Sequence, residues 1–249
     1  MKLINGNYSS RNAGRIYDTL RFSGLGGKTI NDMEKDIILK AISEGLKEDG
    51  VMGDLGAGTG RFSLHILKMC RPKMFICLDR SKHMLALAKL KVKHSSTEFI
   101  VADVRKVPFK KNSFDLLVSM HLMKHITDID IVLREICSVL KGNGLLIFDI
   151  ANKFSVVKLR KGTCTLHDWR NILNEFKKLE LYSVKIKGLQ IFGESIYFVL
   201  PKFLIKPYKV FDRIFTAHFS KYATKLIFVA MKTRCGLRII LNENIIDNR

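Results

Sequence analysis

Glycine at alternate positions, in the run Asp54-Leu55-Gly56-Ala57-Gly58-Thr59-Gly60, is the arrangement in this chain with the clearest chemical use. Residues without a Cβ let the main chain bend sharply and let a ligand lie against the backbone. The run follows an apolar stretch at 50–55 and precedes a helical pattern that starts at Arg61, whose free N–H groups face the same crevice. Spacing narrows the ligand. A dinucleotide fingerprint, G-x-G-x-x-G counted from Gly56, needs a glycine where Arg61 stands, and no phosphate-loop lysine follows. Two carboxylates, Asp79 and Asp103, close later apolar stretches. Each also has a local reading, Asp79 as a helix cap beside Ser81 and Asp103 as a turn former before Arg105. A third group lies in Ser119-Met120-His121-Leu122-Met123-Lys124-His125. Either imidazole can accept a proton near neutral pH, while His125 also suits capping or packing against the next helix.

Positioning these groups requires a regular framework, and the hydrophobic pattern supplies one. Strands are expected at residues 50–55, 74–78, 97–101, 114–119, 145–150, 181–186 and 225–231, and helices at 61–69, 81–92, 128–140 and 166–178. Short, continuously apolar strands alternating with amphipathic helices describe a parallel sheet covered on both faces. The last two strands lack the usual crossover helix between them, which predicts an antiparallel pair at one edge. Upstream, Asn31 or Asp32 is expected to cap a helix carrying Glu34, Ile37, Ile38, Ala41 and Ile42, with a glycine-rich break at 23–27 before it.

The run Asp54–Gly60 resembles motif I of the class I S-adenosylmethionine-dependent methyltransferases, of the methyltransferase-domain 11/25 type. The likeness continues through Asp79, Val101-Ala102-Asp103-Val104, Ser113–Ser119 and Leu140-Lys141-Gly142-Asn143-Gly144, and spans roughly residues 32–150. It implies a Rossmann-like α/β fold, with a mostly parallel seven-stranded sheet, helices on both faces and an antiparallel edge strand. It implies S-adenosylmethionine as donor, S-adenosylhomocysteine as product, and no metal. Asp54, Leu55, Gly56, Ala57, Gly58 and Gly60 would admit the cofactor. Asp79, with Arg80 beside it, would meet the ribose, since a carboxylate accepts from two vicinal hydroxyls. Asp103 and Val104 would meet adenine. Ser119 would close the site, and His121 and His125 would border the methyl group as catalytic candidates. In such chemistry the protein binds, orients and excludes water, and a base is needed only where the acceptor must lose a proton. Gly142 stands where the family's L-K-P-G-G turn has proline. The chain also lacks the N-P-P-[YF] and Pro-Cys signatures of base methylation after the fourth strand.

Composition bounds the rest. The 249 residues suit one α/β domain with additions, read as an N-terminal segment and lid at 1–30, a catalytic domain at 31–235 with an acceptor cap at 192–223, and a tail at 236–249. Tyr17, Arg21 and Phe22 are the lid candidates. Five scattered cysteines imply reduced thiols, and the N-terminus has no apolar leader, so the expected location is cytoplasmic or peripheral at a membrane. The net charge of +20 attracts polyanions or reflects a lysine-rich surface. The cap carries Tyr208, Phe211, Phe215, Phe219 and Tyr222 at helical spacings among lysines, with a helix expected to start near Pro207. That stripe could pack on the sheet, line a pocket for a lipid-like acceptor, lie on an anionic membrane, or stack on single-stranded RNA. Methylation of a small or lipid-like acceptor is the leading expectation. RNA methylation, a nucleotide-dependent oxidoreductase and a non-catalytic RNA- or membrane-binding module are the competing ones.

Overall fold

In the computed structural model of the chain, residues 18–19, 24–46, 50–157 and 164–233 are described. A seven-stranded sheet runs in the order β3-β2-β1-β4-β5-β7-β6. Its strands are β1 (Val51–Leu55), β2 (Met74–Asp79), β3 (Thr97–Val101), β4 (Phe114–Ser119), β5 (Leu140–Ala151), β6 (Leu181–Leu189) and β7 (Lys225–Lys232). The pairings from β3 to β5 are parallel, and β7 lies antiparallel between β5 and β6. The order reverses between β1 and β4, which opens a crevice at the carboxyl ends of the parallel strands.

Each central strand feeds two cores. Leu116 and Val118 face one hydrophobic cluster and Leu117 the other, and Leu145 and Ile147 alternate in the same way with Leu146 and Phe148. This two-sided burial is why these strands read as unbroken apolar runs. One cluster is closed by α4 (Ile129–Val139) and α5 (Trp169–Lys178), where Phe148 stacks on its cross-strand partner Phe228 at 5.1 Å. The other is closed by α1 (Leu25–Gly45), α2 (Arg61–Met69), α3 (Lys82–Lys91), α6 (Ser195–Val199) and α7 (Lys202–His218).

Two expectations about the helices are corrected. Helix α1 begins at Leu25, not at Asn31 or Asp32, so the boundary at residue 30 falls inside it. Of the glycines that read as a hinge, Gly24 is the exposed N-cap, and Gly26 and Gly27 are helical and buried. A Cβ on Gly26 would stand 1.9 Å from the carbonyl oxygen of Tyr197, so the lack of a side chain at Gly26 serves close packing of α1 on α6. Helix α7 begins at Lys202 and carries Pro207 inside it. Its buried residues are Ile205, Asp212 and Thr216, leaving Phe211, Phe215, Phe219 and Tyr222 substantially exposed instead of packed on the sheet. The lid residues Tyr17, Arg21 and Phe22 and the tail at 236–249 lie outside the described residues.

Gly26→Ala separates helix propensity from packing. In an open helix the change gains about 1 kcal/mol. Here a net loss of about 1–3 kcal/mol is expected in urea unfolding, because backbone must shift to admit the methyl group.

Candidate active site

The turn after β1 is pinned by main-chain bonds. Leu78 O accepts from Gly56 N at 2.7 Å and from Ala57 N at 3.0 Å, which folds the loop back over the end of β2. That path takes Gly56 to φ 76° and Gly58 to φ 55°, in the left-handed region. Gly58 N then donates to Asp79 Oδ2 at 2.9 Å, while Ser81 N donates to Asp79 Oδ1 at 2.8 Å. Asp79 thus clasps the glycine loop to the start of α3, and burial pushes its carboxyl above the ordinary range. The N-terminal Asp18 reaches the same loop, accepting from Thr59 Oγ1 at 2.8 Å.

A cavity lies over this turn. Asp54, Gly56, Ala57 and Gly58 form its floor beside Asp79 and Arg80. Asp103 and Val104 follow from the end of β3, and His121 and His125 from the end of β4. Three expected site residues stand off the lining. Leu55 is fully buried in a core cluster. Gly60 abuts α3, where a Cβ would meet Ala88 and Val92 at 3.0 Å. Ser119 donates its hydroxyl to Leu55 O at 2.9 Å, tying β4 to β1. Asp103 accepts from Arg105 N at 2.9 Å and pairs with its guanidinium, as a turn-forming aspartate would, while still bordering the cavity. Asp54 accepts from Ser63 Oγ at 2.6 Å, and burial raises its carboxyl to about 6.

His121 has the most unusual surroundings. Its φ is 62°, a sparsely populated conformation for a residue with a side chain. Its N–H donates to Asp149 Oδ1 at 2.5 Å, and Nε2 lies 2.8 Å from Glu34 Oε1. Glu34 is fully buried and also meets Arg61 at 3.0 Å and Lys225. Burial alone would raise the Glu34 carboxyl, but the hydrogen bond from His121 and the charges of Lys225 and Arg61 outweigh it and hold the group well below the carboxylate range. Burial, with Lys225 and Lys124 adding to it against the pull of Glu34, keeps the imidazole neutral. A neutral ring facing an ionised Glu34 carries its proton on Nε2. Nδ1 is then a bare acceptor, buried and without a hydrogen-bond partner among the described residues. Phe62 stacks along the ring, with centroids 6.1 Å apart. His125 sits exposed at the cavity rim, at the end of a short 3-10 turn.

Comparison with known proteins places this architecture. The model of the methyltransferase domain matches residues 53–148. An uncharacterized protein of Methanocaldococcus jannaschii, MJ0638, is 30% identical over 186 residues, covering 73% of this chain and 72% of that protein. The chain belongs to the class I S-adenosylmethionine-dependent methyltransferases. The ubiquinone biosynthesis O-methyltransferase of Pelagibacter ubique is 26% identical over 160 residues, 59% of this chain and 65% of that one. Phosphoethanolamine N-methyltransferase 2 of Haemonchus contortus, solved with S-adenosyl-L-methionine, shares the fold at a TM-score of 0.67 and 18% identity, over 92% of this chain and 59% of that one. This methyltransferase therefore uses S-adenosylmethionine as donor, and the oxidoreductase and non-catalytic readings are set aside.

The charged surroundings of His121 were not anticipated from the sequence, although a signal existed. Glu34 follows Ile30 and precedes Ile38 at intervals of four, on the core-facing stripe of α1. Asp149 and Lys225 lie within or beside apolar strands. Lys225→Met removes one partner of a buried cluster and is expected to cost about 3–5 kcal/mol in urea unfolding. Glu34 titrates below its ordinary 4.5, so its contribution is present above that pH and is lost as pH falls through the lower folded value. Glu34→Gln should flatten that acid limb of the stability curve.

Proposed function

We propose that this methyltransferase acts on a small or lipid-like acceptor bearing an ionisable X–H group, and that His121 Nδ1 receives the acceptor's proton. The observation that carries the reading is the buried, unpartnered Nδ1 of a neutral histidine lining the cavity. An imidazole with its other nitrogen engaged by a carboxylate is fixed in one tautomer and oriented for proton transfer. One relative is a ubiquinone biosynthesis O-methyltransferase and the structural neighbour a phosphoethanolamine N-methyltransferase, which favours a small-molecule acceptor.

The residues around the cavity fit the donor. Two carboxylates, Asp79 and Asp103, stand at the ends of adjacent strands, each with acceptor capacity beyond its local bonds. Met84, Ala102 and Val104 offer apolar surface to a flat base. A Cβ on Gly58 would approach Met84 Cε at 3.6 Å and Gly56 O at 3.9 Å, so glycine there keeps the cavity floor clear of side chain. Asp79 would hold the ribose, Asp103 and Val104 the adenine, and Gly56 to Gly58 the main-chain floor. S-adenosylmethionine supplies a methyl group activated on a sulfonium. The chain's own part is to seat it, to orient the acceptor and to hold the released proton on His121.

Transfer of labelled methyl groups into a cell extract tests the acceptor. Label should enter the small-molecule or lipid fraction, and label confined to RNA or protein overturns the assignment. His121→Asn keeps a residue that tolerates positive φ. It should lower kcat by about 10²- to 10⁴-fold while leaving S-adenosylhomocysteine affinity unchanged. Asp79→Ala should do the reverse, weakening that affinity by about 1.5–3 kcal/mol.

Asp54 adds a proton linkage. Its carboxyl, held up to about 6, favours the ionised form when a cation binds beside it. Calorimetry in buffers of different ionisation heat should register proton release on S-adenosylmethionine binding near that pH. Asp54→Asn should bind without it.

A further inference from the structure

Helix α7 wears its apolar face outward. Phe203, Pro207, Val210 and Ile214 follow one another at steps of four, three and four, so they line one side of the helix. All are exposed, Phe203 by 77%, Val210 by 60% and Ile214 by 54%. Lys202, Lys206, Lys209 and Arg213 repeat the same steps one position earlier, which sets a basic stripe along one flank of the apolar one. The single acid of the helix, Asp212, is buried on the opposite side, where it accepts from Tyr197 Oη at 2.9 Å and Ile191 N at 3.0 Å. The apolar surface extends at both ends, through Val199, 78% exposed, and through Phe219 and Tyr222.

We propose that this face of α7 docks on an anionic lipid surface, with the apolar stripe entering the headgroup boundary and the cations meeting lipid phosphates. A 17-residue helix with an apolar stripe, a cationic flank and no outward acid has the anatomy of a segment that lies in the interface plane. Charge complementarity selects the occupant. The exposed side of the helix presents four cations and no carboxylate, on a chain of net charge +20. Single-stranded RNA would meet the same cations and could stack on Phe203, Phe219 and Tyr222, but Val199, Val210 and Ile214 between them are aliphatic and match acyl chains, not bases. No helix among the described residues is long and apolar enough to cross a membrane, so the contact is superficial. The face ends at Tyr222, three residues before Lys225, which touches Glu34 beside His121. A docked molecule would therefore hold this side of its active site close to the bilayer surface.

Vesicle flotation tests this with the full chain. Binding is expected to vesicles of phosphatidylcholine containing about one third phosphatidylglycerol, and not to phosphatidylcholine alone. It should weaken when ionic strength rises from about 0.1 M to about 0.5 M. F203S/I214S and, separately, K202Q/K206Q/K209Q should each reduce the bound fraction at least about tenfold, with S-adenosylhomocysteine affinity and melting temperature unchanged. Failure to bind the anionic vesicles overturns the proposal, as does binding that survives F203S/I214S. Sedimentation that finds a dimer dissociated by F203S/I214S, with no vesicle binding, assigns the face to a second copy of the chain instead. RNA retention lost on K202Q/K206Q/K209Q, again without vesicle binding, assigns it to nucleic acid.

Discussion

The hold of the glycine turn on the end of β2 is the constraint from which the rest of the site follows. One carbonyl, Leu78 O, takes two successive N–H groups, and the Asp79 carboxylate takes a third from Gly58 and a fourth from Ser81. These bonds fix where β1 ends, where α3 begins and how deep the cavity floor lies between them. They also join two readings of Asp79 that look exclusive in the sequence. A carboxylate has about four lone-pair directions. Two serve the local turn, so a structural clasp and a ligand acceptor can be the same side chain. The cost of such a path is paid in conformations that only glycine adopts readily, which is why the residues at 56 and 58 have no side chain.

A second layer of constraint is electrostatic. Burying Glu34, Asp149, Lys225 and Arg61 around one imidazole costs desolvation that an apolar cluster of equal volume would avoid. What the arrangement provides is definition. Glu34 fixes the proton on Nε2 of His121, Asp149 holds the residue's amide in its unusual backbone conformation, and burial, with Lys225 adding to it, keeps the resting ring neutral and its Nδ1 open to a proton. The four groups come from α1, α2, β5 and β7, distant in sequence. Such a cluster stores stability in a form that is lost when any one member is removed, which is the expected signature of residues kept for positioning.

That distribution explains what was legible beforehand. Helix α2 and strands β3 and β4 fall where the apolar period puts them, because each is short and is bounded by polar or glycine residues. The glycine loop, Asp79 and Asp103 share a mouth because strands that end in register bring their successors together. Gly60 and Ser119 belong to the motif and stand beside the cavity wall without lining it, since a motif records packing needs as well as ligand contacts. Glu34 and Lys225 were invisible as partners because spacing along the chain carries no information about a contact 191 residues apart. The break placed at 23–27 failed for a related reason. Glycines that crowd a neighbouring helix look, in one dimension, the same as glycines that bend the chain.

Helix α7 shows the same precedence of polar geometry over hydrophobicity. Its inward face, Ile205, Asp212 and Thr216, is less apolar than its outward one. Hydrophobic burial alone would turn the helix by half a revolution. Doing so would strip Asp212 from Tyr197 Oη and from Ile191 N, leaving a buried hydroxyl and a buried amide without partners. Each such orphan costs about 1–3 kcal/mol, comparable with burying one large apolar side chain. The turn would also carry Phe211 and Phe215 away from Phe192, against which both now pack. Hydrogen bonds thus choose the orientation of α7 and leave its apolar stripe outside.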